Sequence, residues 1–143
     1  MQIFEALRQD HDKQRALMDV IVDTKGDSAV RAEFFTQLKA ELQNHAIAEE
    51  RYFYSPLIQK DATVELSRHG IAEHHQIDKL IEDLENISIE SGTWLKTMKE
   101  LRHKVLQHLE EEENDFFQKA GRALDAEEKA DLADQYINEM QDV

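Results

Sequence analysis

The feature that most limits this chain is an apolar spacing of three and four residues that runs almost from end to end. Residues at that spacing share one face of an α-helix, so each stripe predicts a helix with a buried side. The first stripe carries Phe4, Leu7, His11, Met18 and Val22, and the second Phe35, Leu38, Leu42, His45, Glu49 and Phe53. The third carries Leu66, Gly70, His74, Ile77, Ile81 and Leu84, and the fourth Trp94, Met98, Leu101, Val105, His108, Glu112 and Phe116. Few residues can interrupt them, since glycine occurs four times and proline once. Gly26, Gly92, Gly121 and the stretch around Pro56 therefore mark the expected breaks. The predicted helices run over about 2–24, 28–54, 62–88 and 93–119, with a shorter fifth over about 126–141. Asp125 and Glu128 have the spacing of a capping box for the fifth, and Leu132, Tyr136 and Met140 give it one apolar stripe. Connections this short leave antiparallel neighbours as the solution. The expected fold is all-α, an antiparallel up-down four-helix bundle with a short fifth C-terminal helix. At 143 residues the chain is expected to form a single domain, 1–143, with its bundle core over about 2–119.

Charge and cysteine usage exclude several classes. The formal charge is −14, which opposes binding to nucleic acid or to an anionic membrane. There is no cysteine, so disulfides, thiolate metal sites and cysteine-held iron–sulfur clusters are ruled out. The first ten residues, MQIFEALRQD, are charged and do not read as a signal peptide. No apolar run reaches membrane-spanning length. The expected location is the cytoplasm.

The polar residues on the apolar stripes carry the chemistry. Each stripe holds one histidine, and two hold a glutamate four residues later. A buried carboxylate without a partner costs several kcal/mol. Two of them beside four histidines, with only Arg15 as a basic residue near those stripes, call for a cation, and a metal supplies it. At about 1.5 Å per residue, His11, His45, His74 and His108 all lie about 20–25 Å from the turns that join their helices. They therefore share one level of the bundle, with Glu49 and Glu112 one turn beyond.

An internal repeat supports the set. Thirty-four residues separate His11 from His45, and the same number separates His74 from His108. A shift of 63 maps His11, His45 and Glu49 onto His74, His108 and Glu112, and also Asp10 onto Glu73 and Glu50 onto Glu113. Two matched hairpins suit two metals bridged by two carboxylates. Imidazole and carboxylate donors suit iron, manganese or zinc. Counting two octahedral ions with one oxo or hydroxo bridge leaves about two positions for a small ligand. The set is histidine-rich, unlike the carboxylate-rich set of ferritin-like bundles, and iron is the favoured metal, with manganese or zinc as alternatives.

The segments LRQDHDKQRALMD, HAIAEERYFYSPL, IAEHHQIDKLIEDL and HLEEEENDFF together resemble the haemerythrin-like, or HHE cation-binding, domain family over residues 3–118. The resemblance implies a four-helix bundle around two iron ions, a non-haem di-iron centre that binds dioxygen or related small ligands. It implies His11 and His45 as terminal ligands of one iron, His74 and His108 as those of the other, and Glu49 and Glu112 as bridges. Two departures separate the chain from the oxygen carriers. Asp78 stands where they have a second third-helix histidine, and the last helix has a glutamate at four residues from its histidine rather than an aspartate at five. The resemblance therefore points to bacterial HHE proteins with roles in oxygen or redox sensing, iron handling, or responses to nitric oxide or peroxide.

Other polar residues lie near the six. Asp78 reads as one side of an ion pair beside the site, with a ligand role as the alternative. Tyr52, seven residues after His45, reads as core with its hydroxyl at the bundle end, or as a hydrogen-bond donor to a bound ligand. Gly70, one turn before His74, leaves either room for a ligand or close helix packing. His75, His69 and His103 read as surface residues. Glu113 and Glu50 are expected outside the ligand set but next to it. Three functions follow: a di-iron module binding dioxygen or a related ligand in sensing, an enzyme reducing peroxide or turning over nitric oxide, and iron storage or donation. No protein partner is identifiable.

Overall fold

The computed structural model describes residues 1–25 and 28–142, and all regular structure among them is helical. Seven α-helices follow one another: α1 Ile3–Val22, α2 Ser28–Glu49, α3 Ser55–Ile58, α4 Val64–Glu85, α5 Gly92–Glu111, α6 Phe117–Ala123 and α7 Ala126–Gln141. Two five-residue π-helical turns, Glu50–Tyr54 and Glu112–Phe116, join α2 to α3 and α5 to α6 without a break. The arms of the bundle are thus α1, α2 with α3, α4, and α5 with α6. Helix α1 packs on α2 and α5, and α4 packs on α5 and α2, which closes the four-helix ring. The fifth helix of the sequence reading is α7, docked on α1, α2 and the first π turn. No helix among the described residues is long and apolar enough to cross a membrane.

Two of the expected breaks move. Pro56 does not end the second arm: it sits in the first turn of α3, directly after the π turn. The arm runs to Ile58, and the chain turns over residues 59–63 instead. Gly121 lies inside α6, which ends where Leu124 becomes extended. Gly92 does open a helix, behind Ser91, whose hydroxyl accepts the Trp94 N–H at 3.1 Å. The break assigned to Gly26 lies outside the described residues. The capping box of α7 is formed: Glu128 N–H donates to Asp125 at 2.8 Å, and Asp125 N–H to Glu128 at 3.0 Å.

The core is divided. One apolar cluster gathers Ile3, Phe4, Leu7, Phe53, Leu57 and Phe117 with Tyr136 of α7. The other gathers Met18, Leu38, Ile81, Trp94, Met98 and Leu101 toward the opposite end. Between them lies a buried layer of histidines and carboxylates, held by apolar packing on both sides. The far end is closed by buried Arg31, which donates to the Thr24 hydroxyl and carbonyl and to the Ile89 carbonyl and lies 5.3 Å over the Trp94 ring.

Candidate metal centre

The polar layer is built by the stripes themselves. His11, His45, His74 and His108 are each at most 4% exposed, and Glu49 and Glu112 are fully buried. Their donor atoms fall into two groups: His11, His45, Glu49 and Glu112, and His74, His108, Glu49 and Glu112. Within each group the donor atoms lie within 4.8 Å of one another.

Each carboxylate divides its oxygens between the groups. Glu49 Oε2 lies 3.4 Å from His45 Nε2 and 3.9 Å from His11 Nε2, while its Oε1 lies 3.0 Å from His74 Nε2 and 3.8 Å from His108 Nε2. Glu112 Oε1 lies 3.1 Å from His11 Nε2, and its Oε2 lies 3.2 Å from His108 Nε2. Spacing alone brings His45 to Glu49 and His108 to Glu112, because residues four apart lie one above the other. The contacts between helices need the bundle.

The outward ring nitrogens are all engaged. His11 Nδ1 meets Glu113 at 2.7 Å, His74 Nδ1 meets Glu50 at 2.8 Å, and His108 Nδ1 meets Glu73 at 2.7 Å. His45 Nδ1 meets the Tyr136 hydroxyl at 2.6 Å, and that hydroxyl donates in turn to Asp10. Burial and Asp10 hold the Tyr136 hydroxyl above its ordinary range, so it stays protonated and can donate. With Nδ1 bonded outward, the lone pair of a neutral imidazole sits on Nε2 and faces the layer.

Inside the layer the balance is different. His11 Nε2, His45 Nε2, His108 Nε2, Glu49 Oε2 and Glu112 Oε1 are buried without a hydrogen-bond partner. Several stand at ion-pair distance from one another but are not aligned to share a proton. Orphaned buried polar atoms of this kind are rare in folded proteins, and here they converge from three arms of the bundle on two points. Imidazole and carboxylate donors around such points fit divalent or trivalent metals.

The protonation balance agrees. Burial opposes charge on His11 and His108, yet the surrounding glutamates push both well above the ordinary histidine value. Burial likewise opposes charge on His74, but Glu49 and Glu50 raise it to about 9. Glu49 is held well below the ordinary carboxylate value by His45, His108 and His11, against its own burial. A cluster that draws protons onto its histidines is a cluster short of positive charge, which is what a metal would supply.

The remaining polar residues sort cleanly. Glu113 and Glu50 bond the outward nitrogens as described. Arg15 donates to Glu113 at 2.9 Å and to Asp12 at 3.0 Å. Asp78 is exposed and belongs to neither donor group. His75, His69 and His103 are exposed, although His69 Nε2 lies 2.8 Å from Glu111. Tyr52 turns away and donates to Glu139 of α7 at 3.2 Å.

The phenol at the layer is Tyr54, which donates to Glu112 and packs edge-on to His74. Nine residues after His45, it would lie about half a turn away on a straight α-helix. The π turn rotates less per residue and brings it round. The shift of 63 maps Tyr54 onto Phe117, which stacks on His11 at 6.0 Å. One half of the layer therefore has a hydroxyl where the other has none. The room left by Gly70 is occupied by the Tyr54 ring: a Cβ there would lie 2.2 Å from its Cζ and hydroxyl. Of the two readings of Gly70, close packing fits.

Five participants were given no site role by the sequence reading: Tyr54, Tyr136, Asp10, Glu73 and Gln14. Asp10 could have been found, since the repeat pairs it with Glu73. Gln14 stands three residues after His11, is buried, and has an amide nitrogen without a partner. With Leu42, His45, His74, Val105 and His108 it lines a void of about 10 Å³ beside the layer. A cleft of about 620 Å³ runs along α1 and α2 and touches these residues only through Asp10.

A family model, Hemerythrin HHE cation binding domain, matches residues 2–120. A DNA nickase from Nostoc sp. (strain PCC 7120 / SAG 25.82 / UTEX 2576) is 24% identical over 136 residues. That match takes in 95% of this chain but spans only 38% of the relative. No solved structure matches.

Proposed function

The chain belongs to the hemerythrin HHE cation-binding domain family, and on that premise we propose that it holds a carboxylate-bridged pair of iron ions that binds dioxygen or a related small ligand. One observation carries the reading: Glu49 and Glu112 each turn one oxygen to the His11/His45 side and the other to the His74/His108 side. His11 and His45 would hold one ion, His74 and His108 the other, and the two glutamates would bridge. When bound, the pair would supply electrons and an open coordination position. The protein's own part is to orient the imidazoles from outside, keep bulk water out with two apolar clusters, and limit the ligand by size. A void of about 10 Å³ admits something near the size of one water molecule, which favours diatomic ligands over organic substrates.

The role that fits best is oxygen or redox sensing or iron handling, with a protein partner to be identified. Tyr54 favours a second reading, turnover of peroxide or nitric oxide, because it places a phenolic proton beside Glu112. The DNA chemistry of the nickase relative is not carried over, since this chain spans 38% of it and its charge of −14 repels a phosphate backbone.

Metal analysis with an optical spectrum of the aerobically purified protein tests the proposal. The expected result is about two irons per chain and an oxo-to-iron charge-transfer band. Zinc alone at full occupancy would count against the oxygen chemistry. Rapid mixing of the reduced protein with oxygen separates the two readings: a lasting adduct supports binding, and prompt oxidation without one supports turnover or redox sensing.

A further inference from the structure

The two halves of the centre share one plan and, besides Tyr54 against Phe117, differ in how His45 and His108 are held from outside. In the second half, Glu73 reaches His108 Nδ1 directly at 2.7 Å. The 63-residue repeat places Asp10 where Glu73 stands and His45 where His108 stands. Aspartate is one methylene shorter, and the Nδ1 of His45 bonds Tyr136 rather than Asp10. The Tyr136 hydroxyl fills the gap, accepting from His45 Nδ1 at 2.6 Å and donating to Asp10. All three side chains are buried, and the Tyr136 ring packs edge-on to His45 at 5.9 Å and 83°. Tyr136 comes from α7, which starts at Ala126, beyond the family match that ends at residue 120. This helix buries two side chains, Ala133 and Tyr136, so the residue that anchors it is also the one that delivers the hydroxyl.

We propose that Tyr136 is a positioning residue for His45, completing through Asp10 the outer support that Glu73 gives His108 unaided. It keeps the Nδ1 proton directed outward and the Nε2 lone pair directed at the His11/His45 metal position. Such outer partners of metal-bound histidines typically contribute 10–100-fold in metal affinity. Linkage makes the effect reciprocal: the affinity that Tyr136 adds to a metal at His45, the metal returns as tighter docking of α7. The last helix is then coupled to occupancy of one half of the centre. This inference rests on the metal-binding reading above.

The test is an anaerobic titration of the full chain with ferrous iron against a competing chelator. Tyr136→Phe keeps the ring and removes the hydroxyl. The expected result is one iron equivalent weakened by about 10–100-fold and the other retained. Glu73→Gln should weaken the other equivalent, and the two changes together should weaken both. Hydrogen exchange supplies a readout independent of affinity: iron should slow exchange along α7 in the wild type and slow it less in Tyr136→Phe. Unchanged affinity for both equivalents, with melting temperature lowered equally in the presence and absence of iron, would make Tyr136 a packing residue and overturn the proposal. Should Tyr136→Phe fail to fold, Asp10→Asn leaves the α7 anchor in place and should weaken the same equivalent; no change there overturns the proposal equally. A wild-type chain that takes up no iron overturns the metal reading itself, and this inference with it.

Discussion

At the scale of single residues, the centre is asymmetric at Tyr54 and Gly70. Alanine normally favours a helix interior over glycine by about 1 kcal/mol. Gly70→Ala is nevertheless expected to destabilise the protein by about 1–3 kcal/mol, because its Cβ would overlap the Tyr54 ring. In a Tyr54→Ala background the same change should become neutral or stabilising. Denaturant unfolding of the two single variants and the double variant measures the coupling, and additive effects would contradict the contact. A second residue-scale prediction concerns pH in the metal-free protein. His74 is raised to about 9, so its contribution is complete below about pH 6.5 and is lost as pH rises through 9. Glu113 is held at about 2 by His11 and Arg15 against its partial burial, so its contribution is complete above about pH 4.5 and is lost as pH falls through 2. Metal-free protein should melt highest between about pH 4.5 and 6.5 and lose stability from there to pH 9. A melting temperature that stays flat from pH 6.5 to 9 would refute this.

At the scale of elements, the π turns explain where the helical reading slipped. Apolar spacing assumes a constant 100° per residue, and the π turn at each central glutamate breaks that assumption. The buried positions after Glu49 are Phe53, Tyr54 and Leu57, and those after Glu112 are Phe116, Phe117 and Ala120. Tyr52, favoured on a straight helix, is turned aside to Glu139. Nothing in the local sequence announces an extra residue in a turn, because what sets it is the site and core to which Glu49, Tyr54 and Leu57 must all turn. The capping box of α7 was legible, since Asp125 and Glu128 satisfy each other locally. Asp125→Ala should cost about 1 kcal/mol. Because α7 carries Tyr136, the same variant should also show faster hydrogen exchange along α7 while α4 stays protected. Equal acceleration in both helices would mean that α7 does not open on its own.

At the scale of the whole molecule, a buried polar layer sits between two apolar clusters. Without a cation, the layer depends on imidazolium–carboxylate pairs whose geometry leaves several atoms orphaned. Removing one side of a buried charge pair is strongly destabilising. Metal-loaded protein should therefore melt above metal-free protein at neutral pH, and the gap should widen toward pH 9, where the protons that stand in for metal are lost. Equal melting temperatures would count against a metal in this layer.

The sequence already carries the helices, the bundle and the convergence of His11, His45, Glu49, His74, His108 and Glu112, because helical spacing and an internal repeat are local regularities that survive in one dimension. It also placed Glu50 and Glu113 beside the layer, as neighbours in chain of the two glutamates. It does not carry which oxygen faces which histidine pair, that Tyr54 rather than Tyr52 meets the layer, or that Tyr136 of α7 reaches His45. Those contacts depend on π turns and on the docking of α7, where the partners are separated by 58 residues for Tyr54 and Glu112 and by 91 for His45 and Tyr136. Packing between distant segments sets such distances, and no spacing along one helix encodes them.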